Sequence, residues 1–178
     1  MALTSTVFTF DIDLSDSDRQ IYESLSLRVA RHPSESDEFL IARVLAYCLE
    51  YQDGIAFSRG LCDADDPPIC VRDLTGALRV WVDVGTPSAE RLHRASKAAP
   101  RVVVYIHKEY TQWLEGIAAA TIHRADLLEL RVLDRSLVAQ MTSRLDRRMS
   151  FALTVTEGEV FVSFANGTVT GTVTRLTL

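Results

Sequence analysis

Alternating hydrophobic and polar residues predict strands at both ends of the chain. From Thr4 to Leu14, phenylalanine, isoleucine and leucine alternate with threonine and aspartate, the period of two that is typical of a strand with one buried face. Near the carboxyl terminus, glycine-containing turns join the similar runs Phe151 to Thr156, Val160 to Phe164 and Thr168 to Leu176. These three runs predict a β-meander, and we expect the amino-terminal strand to join it.

The middle of the chain predicts helices and strands in turn. Ile21, Leu25 and Val29 fall on one face of a segment that we predict to be helical. A stronger helical pattern opens at Ser34, which is the first residue of a possible capping box, and ends at Asp53-Gly54. Further helices are expected over Thr86 to Ala99, Glu109 to Ala120 and Ser136 to Arg144, and strands over Ile55 to Ser58, Ile69 to Arg72, Leu78 to Val84, Arg101 to Ile106 and Leu127 to Leu133.

This order of elements predicts one α/β domain over residues 1–178, a mixed β-sheet flanked by helices. The 178 residues are 47% hydrophobic and 24% charged, which is typical of a soluble globular protein. No stretch approaches the ~20 apolar residues of a membrane span, and no signal peptide is visible. We therefore expect a cytoplasmic protein that does not contact a membrane. Three cysteines without a C-x-x-C pair indicate reduced thiols.

Charge is segregated along the chain, although the net charge is only −5. Residues 35–66 carry eight acids against two arginines, whereas residues 86–108 carry five bases against one glutamate. Carboxylates that hold Mg²⁺ beside cations that hold a phosphate are what metal-assisted phosphoryl transfer requires. Two separate solvated faces are the alternative interpretation.

Asp83 is the most informative of these acids, because it interrupts the apolar run from Val80 to Val84. A carboxylate within such a strand must be neutralised, paired or bound to a metal. If the hairpin turn centres on Thr75, Asp83 lies opposite Pro67 and directly beside Asp66. Asp73 lies at the turn itself, too far along the strand to share an ion with Asp83, and is better explained as a turn-capping residue.

Other charged residues could complete the site. Glu35 and Glu38 lie three residues apart near the start of a predicted helix, so they share a face, although acids are also favoured there by the helix dipole. Arg91, Arg94 and Lys97 recur every three residues and form a basic stripe. Arg91 lies one turn into its helix and could reach a bound phosphate.

Several motifs together resemble the YaeQ family over essentially the whole chain. They are Arg31-His-Pro-Ser-Glu35, Phe57-Ser-Arg-Gly-Leu61, Asp65-Asp-Pro67, Asp73-Leu-Thr-Gly76, Trp81-Val-Asp-Val-Gly85, and Pro87 with Arg91. The resemblance implies a small bacterial cytosolic protein with a restriction-endonuclease-like core of the PD-(D/E)xK type. In that core a helix acid and acids on two neighbouring strands bind a divalent metal.

The resemblance also implies which residues would form the metal site. Glu38 would be the helix acid, with Glu35 as its substitute. Asp66, or Asp65, would be the first strand acid, and Asp83 the second. Gly85 stands where the motif has its lysine, which normally activates the attacking water and stabilises the phosphate.

Three functions remain open at this point. In the first, Glu38, Asp66 and Asp83 hold Mg²⁺ or Mn²⁺, Arg59, Arg91 and Arg94 contact phosphates, and nucleic acid is hydrolysed. In the second, the protein is a non-catalytic nuclease-fold relic that binds nucleic acid, a nucleotide or a protein without cutting. The third, a protein-interaction module, predicts an exposed apolar patch. The sequence specifies neither a protein partner nor an oligomeric state.

Overall fold

A computed structural model describes residues 4–58 and 65–178. Within them the chain forms two compact units, each assembled from separate segments of sequence. The first unit contains residues up to 41 and residues 133–174; the second contains residues 42–132 and 175–178. The elements are β1 Thr6–Asp16, β2 Ile21–Arg31, α1 Asp37–Leu49, β3 Ile55–Phe57, β4 Ile69–Arg72, β5 Leu78–Val84, α2 Ala89–Ala98, β6 Arg101–Ile106, α3 Thr111–Ala119, β7 Glu129–Leu133, α4 Arg135–Thr142, β8 Arg148–Thr156, β9 Glu159–Phe164 and β10 Gly167–Leu176.

The sheet of the first unit has the strand order β2-β1-β8-β9-β10. β8, β9 and β10 form the predicted antiparallel meander, and β1 pairs with β8 in parallel, as expected for the amino-terminal strand. Phe8, Phe10, Ile12 and Leu14 of β1 are all buried, because the alternation of the sequence places them on one face of the strand.

The predicted helix at Ile21 is wrong, because residues 21–31 form strand β2, antiparallel to β1 along its full length. Spacings of four fit a strand as well as a helix, since four is also a multiple of two. Leu27, which lies between Leu25 and Val29, completes the alternation, and all three side chains are buried. The intervening polar residues point to solvent.

Helix α4 packs closely on β10 within the first unit. Asp134 caps α4 by accepting hydrogen bonds from the backbone N–H groups of Ser136 and Leu137. A Cβ added at Gly171 of β10 would lie 2.7 Å from the Leu137 Cβ and 2.8 Å from the Asp134 Cβ. Glycine therefore allows the close approach of helix and strand.

The sheet of the second unit has the order β7-β6-β5-β4-β3. β3, β4 and β5 pair antiparallel, whereas β5, β6 and β7 run parallel, so the sheet is mixed as predicted. One face carries Trp81, Val102, Val104 and Leu130, which pack with residues of α2 and α3 into a single apolar core, including Leu92, Ala95 and Ile117.

Helix starts differ from their prediction by a few residues. α1 begins at Asp37, where the hydroxyl of Ser36, rather than Ser34, accepts a hydrogen bond from the Phe39 N–H. α2 is capped by Ser88, not by Thr86. Each serine satisfies an orphan N–H of the first turn, and several residues of that type stand near each start, so the pattern alone did not select one.

Two further expectations concern the cysteines and the membrane. Neither Cys48 nor Cys70 is part of a disulfide bond; Cys62 lies outside the described residues. Among the residues that the structure describes, no helix is long and apolar enough to cross a membrane.

Candidate functional site

Asp83 is buried and paired with an arginine. Its residue is 3% exposed, and its Oδ2 accepts hydrogen bonds from Arg91 Nε at 2.7 Å and from Trp81 Nε1 at 3.0 Å. Its Oδ1 lies 3.3 Å from the Val84 N–H. Of the three ways in which this carboxylate could be accommodated, pairing with a cation is the one observed. The charged hydrogen bond offsets the cost of burying the carboxylate.

Arg91 brings Asp66 and Asp83 to the same place. The guanidinium donates from Nη2 to the backbone carbonyl of Asp66 at 3.0 Å while its Nε contacts Asp83. It also lies over the ring of Trp81, 5.3 Å from the centroid, a distance typical of a cation–π contact. The side chain is 20% exposed. The predicted Asp66, Asp83 and Arg91 are therefore neighbours.

The hairpin register explains this neighbourhood and corrects its prediction by one residue. Arg72 pairs with Leu78, as a turn centred on Thr75 requires, but an irregularity at Val71 shifts the remaining pairs by one, so that Ile69 pairs with Val82. Continuing that register places Asp83 opposite Pro68 rather than Pro67. A bulge is a local feature that strand periodicity does not reveal.

Asp73 occupies the turn as a capping residue. Its Oδ1 accepts hydrogen bonds from the hydroxyl of Thr75 and from the N–H groups of Thr75 and Ala77. The side-chain bond from Thr75 is the main cause that lowers the pKa of Asp73. The turn interpretation of this aspartate is confirmed.

Arg94 belongs to the outer part of the site. Its Nη1 lies 3.3 Å from Asp65 Oδ1, and its Nη2 lies 3.7 Å from Glu90 Oε1. All three side chains are well exposed, so these pairs are weak and salt-sensitive. Lys97 is also exposed, further along the same helix.

The predicted helix acids belong to the first unit, whereas Asp83 belongs to the second. Glu38 is exposed in the first turn of α1, and Glu35 precedes that helix, with its Oε2 accepting a hydrogen bond from the His32 N–H at 3.1 Å. Arg59 lies outside the described residues. Across residues 4–58 and 65–178, no group of three histidine, cysteine, aspartate or glutamate residues is placed to hold a metal. The three-carboxylate metal site therefore stays a prediction.

The opposite face of the same sheet carries an ionic network that the sequence pattern did not predict. Glu50, 3% exposed, accepts hydrogen bonds from the Tyr105 hydroxyl at 2.7 Å and from Arg101 Nη1 at 2.6 Å. Arg101 also makes a two-pronged contact with Glu129 at 2.7 and 2.9 Å, and Arg131 donates to Glu129 at 2.7 Å. The spacing of Arg101 and Tyr105, four residues apart on β6, could have indicated a shared face.

This network shifts the pKa values of Tyr105 and Glu129 strongly. Burial is the main cause that raises the pKa of Tyr105, and the neighbouring Glu50 carboxylate adds to it. Hydrogen bonds from Arg101 are the main cause that lowers the pKa of Glu129 to about 2. The tyrosine therefore stays neutral and the glutamate ionised at neutral pH.

Comparisons with known proteins agree over almost the full length of the chain. A family model described as YaeQ protein matches residues 1–173. The uncharacterized protein YaeQ of Escherichia coli K12 is 28% identical over 165 residues, which are 92% of this chain and 91% of that protein. Its counterpart from Salmonella typhi is also 28% identical, covering 93% and 92% of the two chains.

Two crystal structures have the same fold. The YaeQ protein from Xanthomonas axonopodis pv. citri superposes with a TM-score of 0.88 at 34% identity, covering 97% of this chain and 98% of that one. The YaeQ protein from Pseudomonas syringae gives a TM-score of 0.90 at 28% identity, covering 99% and 98%. The family model, the relatives and the shared fold lead to one conclusion: this chain belongs to the YaeQ family.

Proposed function

We propose that the site around Asp83 and Arg91 binds a phosphodiester together with Mg²⁺ or Mn²⁺, as a nuclease-like protein would. The observation that carries this proposal is the contact of one guanidinium with both Asp83 and Asp66. Acids and bases alternate here: Asp83 pairs with Arg91, and Asp65 pairs with Arg94.

The charge balance favours a ligand that carries both positive and negative charge. Because each arginine already faces a carboxylate, a phosphate alone or a metal alone meets little surplus charge. A metal ion and a phosphate that bind together can replace both partners of each ion pair. The carboxylates then contact the metal ion, while Arg91 and Arg94 contact the phosphate. Each buried charge then keeps an opposite charge beside it, which limits the cost of breaking the Asp83–Arg91 pair.

The carboxylates present fit Mg²⁺ bound in this way. Mg²⁺ usually keeps several waters and is held by one or two carboxylates plus substrate phosphates, without a protein cage. Asp83 Oδ1 has one long hydrogen bond and therefore retains acceptor capacity. The Asp66 side chain is exposed. These two residues would hold the ion, which would lower the pKa of a bound water for attack on phosphorus.

The order of strands also supports a restriction-endonuclease-like core as part of this proposal. An antiparallel hairpin, β4 and β5, continues into parallel strands β6 and β7. Asp83 lies near the end of β5, and the chain next to Asp66 leads into β4. This is the placement of strand acids that the resemblance implies.

Binding without hydrolysis is the second candidate, and Gly85 favours it. Gly85 has φ +92°, a conformation that side-chain-bearing residues rarely adopt. The backbone therefore disfavours a lysine at this position. Arg91 can stabilise charge but cannot act as a base, because guanidinium stays protonated.

Binding of a short fluorescein-labelled single-stranded DNA and of its RNA counterpart, in Mn²⁺ and in EDTA, tests the proposal. We expect at least about tenfold tighter binding with Mn²⁺, and we expect Asp83→Asn and Arg91→Gln to abolish that difference. Arg79→Gln is the matched control, since Arg79 is an exposed arginine on β5, the strand that carries Asp83.

Equal affinity in Mn²⁺ and EDTA, or equal loss in the Arg79→Gln control, would refute the proposed site. Once metal-dependent binding is established, gel analysis of the same oligonucleotides separates the two candidates. Cleavage that disappears in Asp83→Asn identifies a nuclease, whereas intact oligonucleotide under binding conditions identifies a binding protein.

A further inference from the structure

Trp81 contacts both members of the Asp83–Arg91 pair through different parts of its side chain. Its indole N–H donates to Asp83 Oδ2 at 3.0 Å, and the Arg91 guanidinium lies over its ring, 5.3 Å from the centroid. Trp81 and Asp83 are two residues apart on β5, so they point to the same face of the sheet. Leu92 and Ala95 of α2, the helix that carries Arg91, pack on that face.

Packing fixes the position of the Trp81 ring. The residue is 2% exposed and lies between Cys70 of β4 and Val102 of β6 in the sheet. It belongs to the same apolar core as Leu92. Because such cores are close-packed, a side chain of this size has little freedom to turn. The indole is therefore a rigid support for the two charged groups that it contacts.

The two contacts of Trp81 do not depend on the direct bond between Asp83 and Arg91. That bond is the one that a metal ion and a phosphate would replace in the proposed function. The indole N–H is an uncharged donor, so it can keep Asp83 Oδ2 in place while Oδ1, with its one long hydrogen bond from Val84, faces the ion. The ring can continue to attract the guanidinium.

We propose that Trp81 is the positioning residue of this site: its N–H orients Asp83 for a divalent metal, and its ring orients Arg91 for a phosphate. The inference rests on the proposed function and adds to it a separation of two effects. Loss of the N–H weakens the response to the metal, whereas loss of the ring also weakens the hold on the oligonucleotide. Trp81 acts through its two neighbours and not by contact with the ligand.

Two substitutions of Trp81 test this separation. Trp81→Phe keeps an aromatic ring but has no N–H, and we expect the Mn²⁺ concentration for half-maximal binding of the labelled oligonucleotide to rise about tenfold. The oligonucleotide Kd at saturating Mn²⁺ should change less than about threefold. Trp81→Leu loses both contacts, so this Kd should also rise about tenfold. A Kd at saturating Mn²⁺ that is no higher in Trp81→Leu than in Trp81→Phe would overturn the role of the ring.

Trp113→Phe is the matched control. Trp113 packs against the same core, and its indole N–H donates to the Pro87 carbonyl at 2.6 Å, so the variant removes an N–H that does not contact Asp83. The Mn²⁺ concentration for half-maximal binding should be unchanged. No rise in Trp81→Phe, or an equal rise in both variants, would overturn the role of the N–H. A wild type without Mn²⁺-dependent binding would refute the proposed function and this inference with it.

Tryptophan fluorescence tests the same assignment with Trp81 intact. The chain has two tryptophans, so Trp113→Phe leaves Trp81 as the only one. Mn²⁺ is paramagnetic and quenches an indole that lies close to it, whereas Mg²⁺ is not. With an unlabelled oligonucleotide, Mn²⁺ but not Mg²⁺ should quench the emission of Trp113→Phe, and Trp81→Phe should be quenched much less. Metal-dependent binding without quenching of Trp81 would place the ion elsewhere and overturn the inference, while the proposed phosphodiester binding would stand.

Discussion

The two faces of the second unit's sheet each bury a carboxylate against an arginine, but the surroundings of the two pairs differ. Asp83 and Glu50 are both 3% exposed. Glu50 belongs to what we call the closed network, in which Tyr105 and Arg101 donate to Glu50, and Arg101 and Arg131 donate to Glu129. The Asp83 pair opens toward exposed acids and bases around Asp66 and Arg94.

This difference separates a structural network from a candidate site. In the closed network both carboxylates already accept hydrogen bonds from arginines of the protein, so a ligand would have to break such a bond without replacing it. In the open site the second contact of Arg91 is a backbone carbonyl, which gives a weaker hydrogen bond than a carboxylate does. Arg91 can therefore exchange partners at lower cost.

The largest expected effect is the loss of folding stability when the closed network is broken. Arg101→Ala leaves Glu50 buried without its cation and Glu129 without its two-pronged partner, so it should lower the free energy of unfolding by about 3 kcal/mol. Urea denaturation measures this loss. Metal-dependent oligonucleotide binding, assayed below the denaturation midpoint, should be unchanged; a change in binding with little loss of stability would reverse our assignment of the two faces.

Arg91→Gln should affect both stability and binding. Because Asp83 keeps only its neutral donors, we expect a loss of about 2 kcal/mol in the free energy of unfolding, together with the loss of Mn²⁺-dependent binding. Urea denaturation and fluorescence anisotropy on the same preparation measure the two effects. Arg91→Lys restores the charge but not the two-direction geometry, so stability should recover further than binding does.

Acid should weaken the closed network in a defined pH window. The pKa of Glu129 is about 2 in the folded protein against an ordinary 4.5, chiefly because Arg101 donates hydrogen bonds to it. The unfolded chain therefore binds more protons between these values, and the contribution of Glu129 to stability, complete above about pH 4.5, is lost as the pH falls toward 2. Urea denaturation measures the free energy of unfolding at pH 5 and at pH 3. The decrease between these two pH values should be smaller for Glu129→Gln than for the wild type. An identical difference would contradict this role of Glu129.

Arg94→Gln should give the smallest change in stability. Its ion pairs with Asp65 and Glu90 are exposed, so the free energy of unfolding should change by less than about 0.5 kcal/mol. Metal-dependent binding should nevertheless weaken about tenfold or less, because one phosphate contact is lost. Arg79→Gln should change neither quantity. Comparing the two variants distinguishes the effect of removing a charge at the site from the effect of removing any surface charge.

Sequence patterns predicted the strand bounds best for short apolar runs that turn residues flank closely. β6, β4 and β5 have the predicted bounds, and the meander is confirmed, because alternation and glycine turns act within a few residues. The same reasoning misassigned β2, since only its pairing with β1 distinguishes a period of two from spacings of four. It also left the first helix start two residues too early, at Ser34.

The closeness of Asp66 and Asp83 was predicted from the sequence, whereas the metal site assigned to them stays a prediction. Asp66, Asp83 and Arg91 meet because hairpin geometry is local enough to calculate, even though a bulge displaced the register by one residue. The partner of Asp83 was not identified, because any cation or metal would have satisfied the requirement of a buried carboxylate. The Glu50 network was missed, since its members come from three elements far apart in sequence.

The sequence by itself determined most of the elements, the family and the requirement that Asp83 be neutralised. These depend on side-chain patterns over short stretches and on chemistry that holds wherever a residue is buried. Only the tertiary structure decided that Arg91 neutralises Asp83, that Glu50 meets Arg101 and Tyr105, and that β2 pairs with β1. Those outcomes depend on which segments lie side by side, and a hydrogen bond is strong only when its two atoms are brought to within about 3 Å.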